Sequence, residues 1–399
     1  MGAPRNTAAP AARLDAGLVE RMVAIRRDLH RHPELSGAEE RTSGAVADRL
    51  GALGLASRRL GETGLIADIP AADGTTDGPK VALRADMDAL PISEETGLPF
   101  ASRNPGVMHA CGHDGHTSIL LGAAEALLAA PAPAPVRLLF QPAEEIARGA
   151  RALIKDGALD GVAFVFGVHL DVSVDTGRLL VTEGPVNAAL DNFQIRLVGQ
   201  GAHAARPHHG VDAVVAGSAL VMALQTVVSR ELDPADRAVV TVGSFHAGTA
   251  KNVIAEEAVL EGTLRSQSPD VRRQLRDGAE RLARAVAETH RARAEVEIFP
   301  GPPALINRPA PTALARTAAE RTVGAGQIGE LAKANLGGED FAEYLEHVDG
   351  CFIRVGAAHA DRPNSPQHSS RFDFDEAALE VGARYFRHVA HVAGASLRS

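Results

Sequence analysis

The sequence is poor in several residue types whose absence excludes whole classes of protein. Its 399 residues include no tryptophan, two tyrosines, two cysteines and four lysines. Two cysteines cannot form a disulfide framework, which favours a reducing, cytoplasmic location. The formal net charge of −9 argues against nucleic acid as a partner, because phosphate binding requires basic patches.

Long apolar segments are also missing. No run of about 18 apolar residues occurs, so we expect no membrane-spanning segment and no membrane partner. Residues 1–22 lack the apolar stretch of a signal peptide. The composition, 45% hydrophobic and 23% charged, is that of a soluble globular protein. At this length we expect two domains.

Three short apolar runs occur in the first half of the chain, at 81–86, 136–141 and 163–169. Segments with helical character separate them; before them, residues 14–60 are predicted as helix with a break near the sequence PELS. This alternation predicts an α/β fold, with a mixed, mostly parallel sheet between layers of helices.

Chemically active side chains stand where each of these runs ends. Asp86 and Asp88 lie at the end of the first run, Glu144 and Glu145 follow the second, and His169 ends the third. Ligands bind beyond the carboxyl ends of the strands in such sheets, so this convergence predicts a functional site.

The second half of the chain contains a module with a different pattern. Residues 190–300 follow the order strand–helix–strand–strand–helix–strand, which is that of a split βαβ unit. The simplest organisation is one α/β domain in two pieces, 1–188 and 302–399. An α+β ferredoxin-like domain is then inserted at 189–301.

The segment MHACGHDGHT, residues 108–117, concentrates potential metal ligands. It places Cys111, His113 and Asp114 within four positions, with His109 and His116 on either side. A thiolate and imidazoles are good ligands for zinc and neighbouring transition metals. The alternative is a polar loop whose histidines are satisfied by hydrogen bonds and whose thiol is incidental.

The adjacent pair Glu144-Glu145 supports the metal interpretation. Two neighbouring carboxylates at a strand end repel each other unless a cation lies close to them. One could bind metal while the other acts as a general base toward a water. The alternative is a solvated surface pair.

Several motifs occur in the order of a known family. They are LRADMDALPI (83–92), MHACGHDGHT, QPAEE (141–145), GVHL (167–170), GQGAHAARPHHGVDAV (199–214), NVI (252–254), GTLRS (262–266), GGEDFA (337–342) and HSSRFDFDE (368–376). From about residue 20 to its end, the chain resembles the aminoacylase, hippurate hydrolase and indole-acetyl-amino-acid hydrolase family of dinuclear metallo-amidohydrolases.

The resemblance implies roles for the residues at the strand ends. It implies two divalent ions, zinc, manganese, cobalt or nickel, with Cys111 bridging them. Glu144 is implied as the general base, and Asp86 and Asp88 as groups that orient the ligands. The implied metal ligands are Cys111, His113, Glu145, His169 and His368.

The resemblance also implies that the inserted domain is a lid and dimerisation domain. His203 would reach the partner subunit's site and stabilise the oxyanion. Asn252 and Arg265 would hold a substrate carboxylate, and Glu339 would face the substrate. Alternatively, His203 is a surface histidine on a glycine-rich turn and Arg265 is an exposed strand residue.

The expected function is therefore hydrolysis of small-molecule N-acyl-L-amino acids, with Glu144 assisting the attack of a metal-bridged water. We expect the protein to be a homodimer or a higher homo-oligomer. A dipeptidase or aminopeptidase, and a catalytically silent binding protein on the same fold, are the alternatives. The sequence departs from many relatives in the residues IARGA after the glutamate pair and in Ser370, and both departures bear on the acyl pocket.

Overall fold

The computed structural model describes residues 13–398. Its helices are α1 (Ala16–Arg31), α2 (Glu40–Ala52), α3 (His113–Ala129), α4 (Gly149–Lys155), α5 (Ala213–Thr226), α6 (Pro269–Thr289), α7 (Pro309–Val323), α8 (Phe341–Leu345) and α9 (Ala377–Ser396). The first strands are β1 (Ser57–Leu60), β2 (Gly64–Ile69), β3 (Lys80–Asp86), β4 (Val136–Gln141), β5 (Val162–Asp175), β6 (Leu179–Leu180), β7 (Gly184–Asn187) and β8 (Ala189–Val198). The others are β9 (Ala202–His203), β10 (Ala238–Ala247), β11 (Val253–Ile254), β12 (Glu257–Ser266), β13 (Arg293–Pro300), β14 (Leu305–Asn307), β15 (Ile328–Gly329) and β16 (Asp349–Ala358).

The described chain divides into two compact units. The first unit comprises residues 13–186, 306–333 and 340–398. The second comprises residues 187–305 together with the short segment 334–339. The chain therefore leaves the first unit and returns to it twice, because residues 334–339 belong to the second unit.

The first unit is built on a mixed eight-stranded sheet with the order β1-β2-β4-β3-β5-β16-β6-β15. Its four central strands, β4, β3, β5 and β16, are parallel to one another. Antiparallel pairs flank this centre, β2 against β4 on one side and β6 against β16 on the other. Strands β3 and β4 are buried along their whole length, as expected for strands covered on both faces.

Helices cover both faces of this sheet. Successive side chains of a strand point to opposite faces, so Leu83 and Arg84 of β3 face different layers. Leu83 belongs to the main core with α1, α3 and α9. Arg84 lies against the ring of Phe341, the first residue of α8. Beyond its polar first turn, helix α3 is largely apolar, and it is buried almost throughout, as expected for a helix inside a core.

The carboxyl ends of the central strands bring the candidate residues to one edge. Strand β3 ends at Asp86, and β4 runs parallel to it and ends beside it at Gln141. Strand β5 continues on the other side of β3 and carries His169. The chain crosses from β3 to β4 on one side and then to β5 on the other, which makes this edge a topological switch point.

The second unit has a four-stranded antiparallel sheet with the order β10-β12-β8-β13. Helices α5 and α6 connect its strands in the order β8-α5-β10-β12-α6-β13, which is the split βαβ topology. Residues Phe193, Ile195 and Leu197 alternate along β8 and pack into the core of this unit. The two helices thus cover one face of the sheet.

One helix among residues 13–398 has the length and composition of a membrane span. Residues Ala213–Glu231, which are α5 and a following π-helical turn, have a mean hydropathy of 1.5 over 18 residues, and a third of them are buried. Ala216, Leu220 and Leu224 lie in the core of the second unit. Core helices meet the same criterion, so it is weak support for a span.

The N-terminal helical prediction is wrong in part. Residues 14–60 form two helices, and the chain then enters strand β1 at Ser57. The break falls at the PELS segment, where Pro33 cannot continue α1. The segment 33–39 then runs toward the strand-end edge instead of forming another turn of helix, as the contacts of Ser36 and Glu39 with Asp88 and Ala143 show.

Candidate metal centre

The Cys111 segment forms the tight turn that leads into α3. Gly112 has a φ of +96°, a conformation that side chains with a Cβ adopt only under strain, and it caps the helix that begins at His113. This turn places Cys111 and His113 side by side at the edge of the sheet. The Sγ atom of Cys111 lies 3.5 Å from Nε2 of His169 on β5.

The C-terminal segment adds His368 from the other side. Its φ is +64°, which is strained for a histidine, and its N–H donates to the carbonyl of Ala110 at 2.7 Å. This hydrogen bond ties His368 to the Cys111 turn. Nε2 of His368 lies 3.5 Å from Oε1 of Glu145, which itself lies 3.9 Å from Nε2 of His113.

The structure therefore brings together the five expected ligands and the expected base. Within three overlapping groups, every potential ligand atom lies within 4.8 Å of the others. The groups are Cys111, His113 and His169; Cys111, Glu145 and His368; and His113, Glu144 and Glu145. Cys111, His113 and Glu145 each belong to two of these groups, so the three groups form one continuous cluster.

Two orphaned atoms show that this cluster fits a cation. Nε2 of His113 and Oε1 of Glu145 are buried and have no hydrogen-bond partner among the described residues. Buried polar atoms without partners are costly, and these two face each other across 3.9 Å. Soft thiolate, imidazole and carboxylate donors together are the set that zinc and related divalent ions prefer.

The protonation states point the same way. Burial, and then the nearby Glu145 carboxylate, raise the pKa of Cys111 to about 12, so the metal-free protein holds a thiol. Burial, and then Arg354, hold the pKa of His169 well below its usual range, so this imidazole is neutral and can coordinate. A thiolate at Cys111 requires positive charge beside it, which a divalent ion supplies.

Asp86 and Asp88 orient the histidines through hydrogen bonds. Nδ1 of His113 lies 2.9 Å from the carbonyl of Asp88 and 3.3 Å from its carboxylate, so Nδ1 carries the proton and Nε2 is left as a ligand atom. Nδ1 of His116 donates to Asp86 at 2.6 Å, while its Nε2 accepts the N–H of Leu170. Burial lowers the pKa of His113, but Asp86, Cys111 and Asp88 together outweigh burial and raise that pKa well above its usual range.

Glu144 and Glu145 lie in a short loop, residues 142–149, that we call the base loop. The Glu145 N–H donates to the Asp88 carboxylate at 3.0 Å. Oε1 of Glu144 accepts the N–H of Asp340 at 3.3 Å. Ala143 and Ala147 both have a φ of +53°, so the loop is held in a conformation that alanine rarely adopts.

A buried polar network beneath this loop was not predicted from the sequence. Arg84 donates to Asp86 at 2.6 Å, to Gln141 at 2.8 Å and to Asp340 at 2.9 Å. The Asp340 carboxylate also accepts the N–H of Ala150 at 3.1 Å. A charged residue inside the apolar run VALRAD was the one available signal, because a buried arginine requires carboxylate partners.

The remaining predicted residues lie in the second unit. His203, on β9, is exposed, and its backbone pairs with Val253 beside the exposed Asn252. The Ala204 N–H donates to the Asn252 carbonyl, so His203 and Asn252 lie on one small ribbon. Arg265 and Glu339 lie elsewhere in this unit. Arg265 is half-buried on β12 and donates to a backbone carbonyl at 2.7 Å, and Glu339 is 3% exposed.

Behind the Cys111 turn lies a second buried charge cluster, centred on Asp114. Its Oδ2 accepts Nε of Arg26 at 3.0 Å and lies 2.9 Å from Nδ1 of His30. Arg26 also donates to Asp373, and His30 contacts Glu94 at 3.3 Å. No role for His30 could be assigned from the sequence. The structure shows that it anchors α1 to the first turn of α3.

Comparison with known proteins agrees with this geometry. A profile of the peptidase family M20/M25/M40 matches residues 82–391. The chain belongs to this family. It is 41% identical over 372 residues to the N-acetyl-L-cysteine deacetylase of Bacillus subtilis strain 168, covering 92% of this chain and 87% of the relative.

Two further M20 relatives are informative. The N-acyl-L-amino acid amidohydrolase of Geobacillus stearothermophilus is 43% identical over 290 residues, covering 72% of this chain and 78% of that protein. A crystal structure of a Bacillus subtilis protein, described as a dinuclear metal-binding peptidase of the M20 family, superposes with a TM-score of 0.83. It is 36% identical, and the match covers 95% of this chain and 99% of that one. The chain is thus a metallo-amidohydrolase of the M20 family.

The two cysteines provide a direct test of the metal centre. Cobalt(II) added to the metal-free enzyme should give a near-ultraviolet thiolate-to-metal charge-transfer band, and Cys111→Ser should abolish it. The Cys111→Ser variant should also bind the metal about 100-fold more weakly than the wild type, or more weakly still. Cys351→Ser is the matched control, because Cys351 is also buried but lies in the main core, away from the cluster. Survival of the band in Cys111→Ser would remove this residue from the metal centre.

The cluster around His30 makes stability depend on pH. Burial lowers the pKa of His30, but Asp114 and Glu94 outweigh it and raise the pKa to about 9. The pKa of His30 in the folded state exceeds its unfolded-state pKa of about 6.5. His30 therefore stabilises the folded protein fully below pH 6.5, and this stabilisation is lost as the pH rises through 9. Between about pH 6.5 and about pH 9.5, the metal-free wild type should lose on the order of 3 kcal/mol more unfolding free energy than His30→Gln.

Urea unfolding followed by circular dichroism measures this difference. The control is His32→Gln, because His32 lies two residues away and pairs with Asp28 near the surface. It should follow the wild-type dependence on pH. If the free energy of unfolding changed with pH in the same way in the wild type and in His30→Gln, His30 would gain no proton on folding.

Proposed function

We propose that this protein hydrolyses N-acyl-L-amino acids to a carboxylic acid and a free amino acid. The observation that carries the proposal is the cluster in which Glu144 lies beside five potential metal ligands. The M20 relatives named for N-acyl amino acids support the same substrate class. We assign the metal ligands as Cys111, His113, Glu145, His169 and His368.

In this proposal Glu144 is the general base. Divalent ions bound by these residues supply positive charge that acidifies a water and polarises the amide carbonyl. The Glu144 carboxylate accepts a proton from the attacking water, and it later donates that proton to the leaving nitrogen. The Asp340 N–H, which donates to Oε1 of Glu144, restrains the orientation of this carboxylate.

The second unit has the substrate-binding role in this proposal. His203 stabilises the oxyanion from the partner subunit, and Arg265 with Asn252 binds the substrate carboxylate. A guanidinium suits that task because it can donate two parallel hydrogen bonds. Glu339 faces the substrate. The ribbon that carries His203 and Asn252 is exposed, as a surface that meets a second molecule must be.

Glu144→Gln tests the base directly. Amino-acid release from a panel of N-acetyl, N-benzoyl, indole-acetyl and long-chain acyl amino acids should fall by about 10²–10⁴-fold, since that is the usual contribution of a general base. The variant should retain its metal, because Glu144 is not assigned as a ligand. The measurement is kcat per metal-loaded site.

The neighbouring Glu145→Gln is the matched comparison, and it should lose metal as well as activity. Chelator treatment of the wild type should abolish release, and added divalent metal should restore it. Free dipeptides belong in the same panel. Cleavage of dipeptides alone would replace the amidohydrolase proposal with a peptidase, and no cleavage with any metal would favour a binding protein.

We further propose that the protein is a homodimer through the second unit. Helix α5 exposes Val214, Val215 and Met222, with 42%, 51% and 70% of their surfaces accessible. Strand β10 forms an edge of the sheet beside this helix, and edge strands readily pair with another chain. An apolar helix face next to an open strand edge is typical of a protein–protein interface.

Met222→Glu should convert the dimer to a monomer, because it places a charge in the centre of that apolar face. Sedimentation velocity or light scattering measures the molar mass. Ala285→Glu, on the exposed face of α6 in the same unit, is the control and should leave the mass unchanged. A monomeric wild type would contradict the proposed dimer.

A further inference from the structure

A third carboxylate lies under the base loop, and the proposed function gives it no role. Glu39 is fully buried, at the end of the segment 33–39. Its Oε1 accepts the N–H groups of Gly37 at 2.9 Å and Ala143 at 2.8 Å. Its Oε2 accepts the hydroxyl of Thr63 at 2.8 Å. The contact with Ala143 joins Glu39 to the residue immediately before Glu144.

The backbone at Ala143 needs an external support. Its φ of +53° costs a non-glycine residue about 1 kcal/mol or more, and such conformations persist only where the surroundings impose them. The Ala143 carbonyl is occupied within the loop, where it accepts the N–H groups of Arg148 and Gly149. The Ala143 N–H remains as the group through which another segment can hold this residue, and it donates a hydrogen bond to Glu39.

The two ends of the base loop lie against each other. A Cβ built on Gly149 would lie 1.6 Å from the carbonyl oxygen of Pro142, so the two ends of the loop touch. The loop is therefore a closed turn, and its entry angle is set at Ala143. A small rotation there displaces the Glu144 carboxylate, since the side chain lies one peptide further along.

We propose that Glu39 is a positioning residue for the general base, acting by accepting the Ala143 N–H and so fixing the conformation of the base loop. The inference rests on the proposed role of Glu144. Glu39 does not touch the reacting atoms. Its effect is on where Glu144 and Glu145 stand relative to the ligands contributed by the other segments.

Two substitutions separate the hydrogen bond from the charge. Glu39→Leu removes the acceptor, whereas Glu39→Gln keeps an oxygen that can accept the same N–H groups. Burial raises the pKa of Glu39, because it disfavours the charged form, and we therefore expect the site to accept a neutral side chain. We expect Glu39→Leu to lower kcat per metal-loaded site by about 10- to 100-fold and Glu39→Gln to stay within about 3-fold of wild type.

The loop itself is measured in the metal-free protein, by amide hydrogen exchange of peptides that cover 142–150. Exchange should accelerate in Glu39→Leu and stay near the wild-type rate in Glu39→Gln. KM should remain nearly constant, since Glu39 binds no part of the substrate. Glu40→Gln is the control: Glu40 is adjacent, exposed and paired with Arg59, so this variant should leave both readouts unchanged.

Thr63→Val is a second variant for the case in which Glu39→Leu does not fold. It removes the donor that holds Oε2, and it should accelerate exchange of the loop and lower kcat a few-fold. Unchanged exchange and kcat in Thr63→Val would overturn the proposal. The proposal would also be overturned if Glu39→Leu lost activity only because it had lost its metal, or only because it melted below the assay temperature.

The two proposals fail in distinguishable ways. Full activity in Glu144→Gln would refute the base assignment, while the exchange measurement would still report whether Glu39 holds the loop. Loss of activity in Glu144→Gln together with wild-type kcat and loop exchange in Glu39→Leu would refute the positioning role alone.

Discussion

Repulsion among buried carboxylates is the constraint on which the candidate site depends. Asp86, Asp88 and Asp340 are at most 1% exposed, and the Glu144-Glu145 pair stands at the same edge of the sheet. Part of this charge is offset within the protein. Arg84 bridges Asp86 and Asp340, and His116 donates to Asp86. The face of Glu145 toward His113 is left without a hydrogen bond, and a divalent ion fits there.

The parts of the site differ in what holds them in place. His113 begins a helix and His169 lies on a strand, so their positions are set by the packing of α3 and β5. Glu144 has no such element, because its loop contains two alanines at positive φ. The loop is held instead by backbone N–H groups donated to carboxylates, from Ala143 to Glu39, from Glu145 to Asp88 and from Ala150 to Asp340. Acceptors from three distant segments replace the regular hydrogen bonds that a helix or strand provides.

Features that a short, contiguous segment encodes could be predicted from the sequence, and features that depend on distant partners could not. The amidohydrolase family, the α/β class and the enzyme type were recognisable, because each is carried by local motifs and by apolar runs that end in acids or histidine. The strand at Ser57–Leu60 was missed because four residues carry too little periodicity. Arg26, Arg84 and Glu39 could not be assigned, because each has an essential partner far away in the chain, at 88, 256 and 104 positions. No spacing rule connects such pairs.

The same chemistry links metal binding to proton release. Burial raises the pKa of Cys111 to about 12, so the thiol is protonated at neutral pH and a ligating thiolate forms only as a metal displaces the proton. His169 and His113 differ in this respect. His169 is already neutral, whereas Asp86 favours protonated His113, which must also release a proton before Nε2 can coordinate. Loading of the metal-free protein therefore strengthens as the pH rises. The buried acids that orient the ligands resist loading at low pH, because they stabilise the protonated form of His113, whose proton the metal must displace.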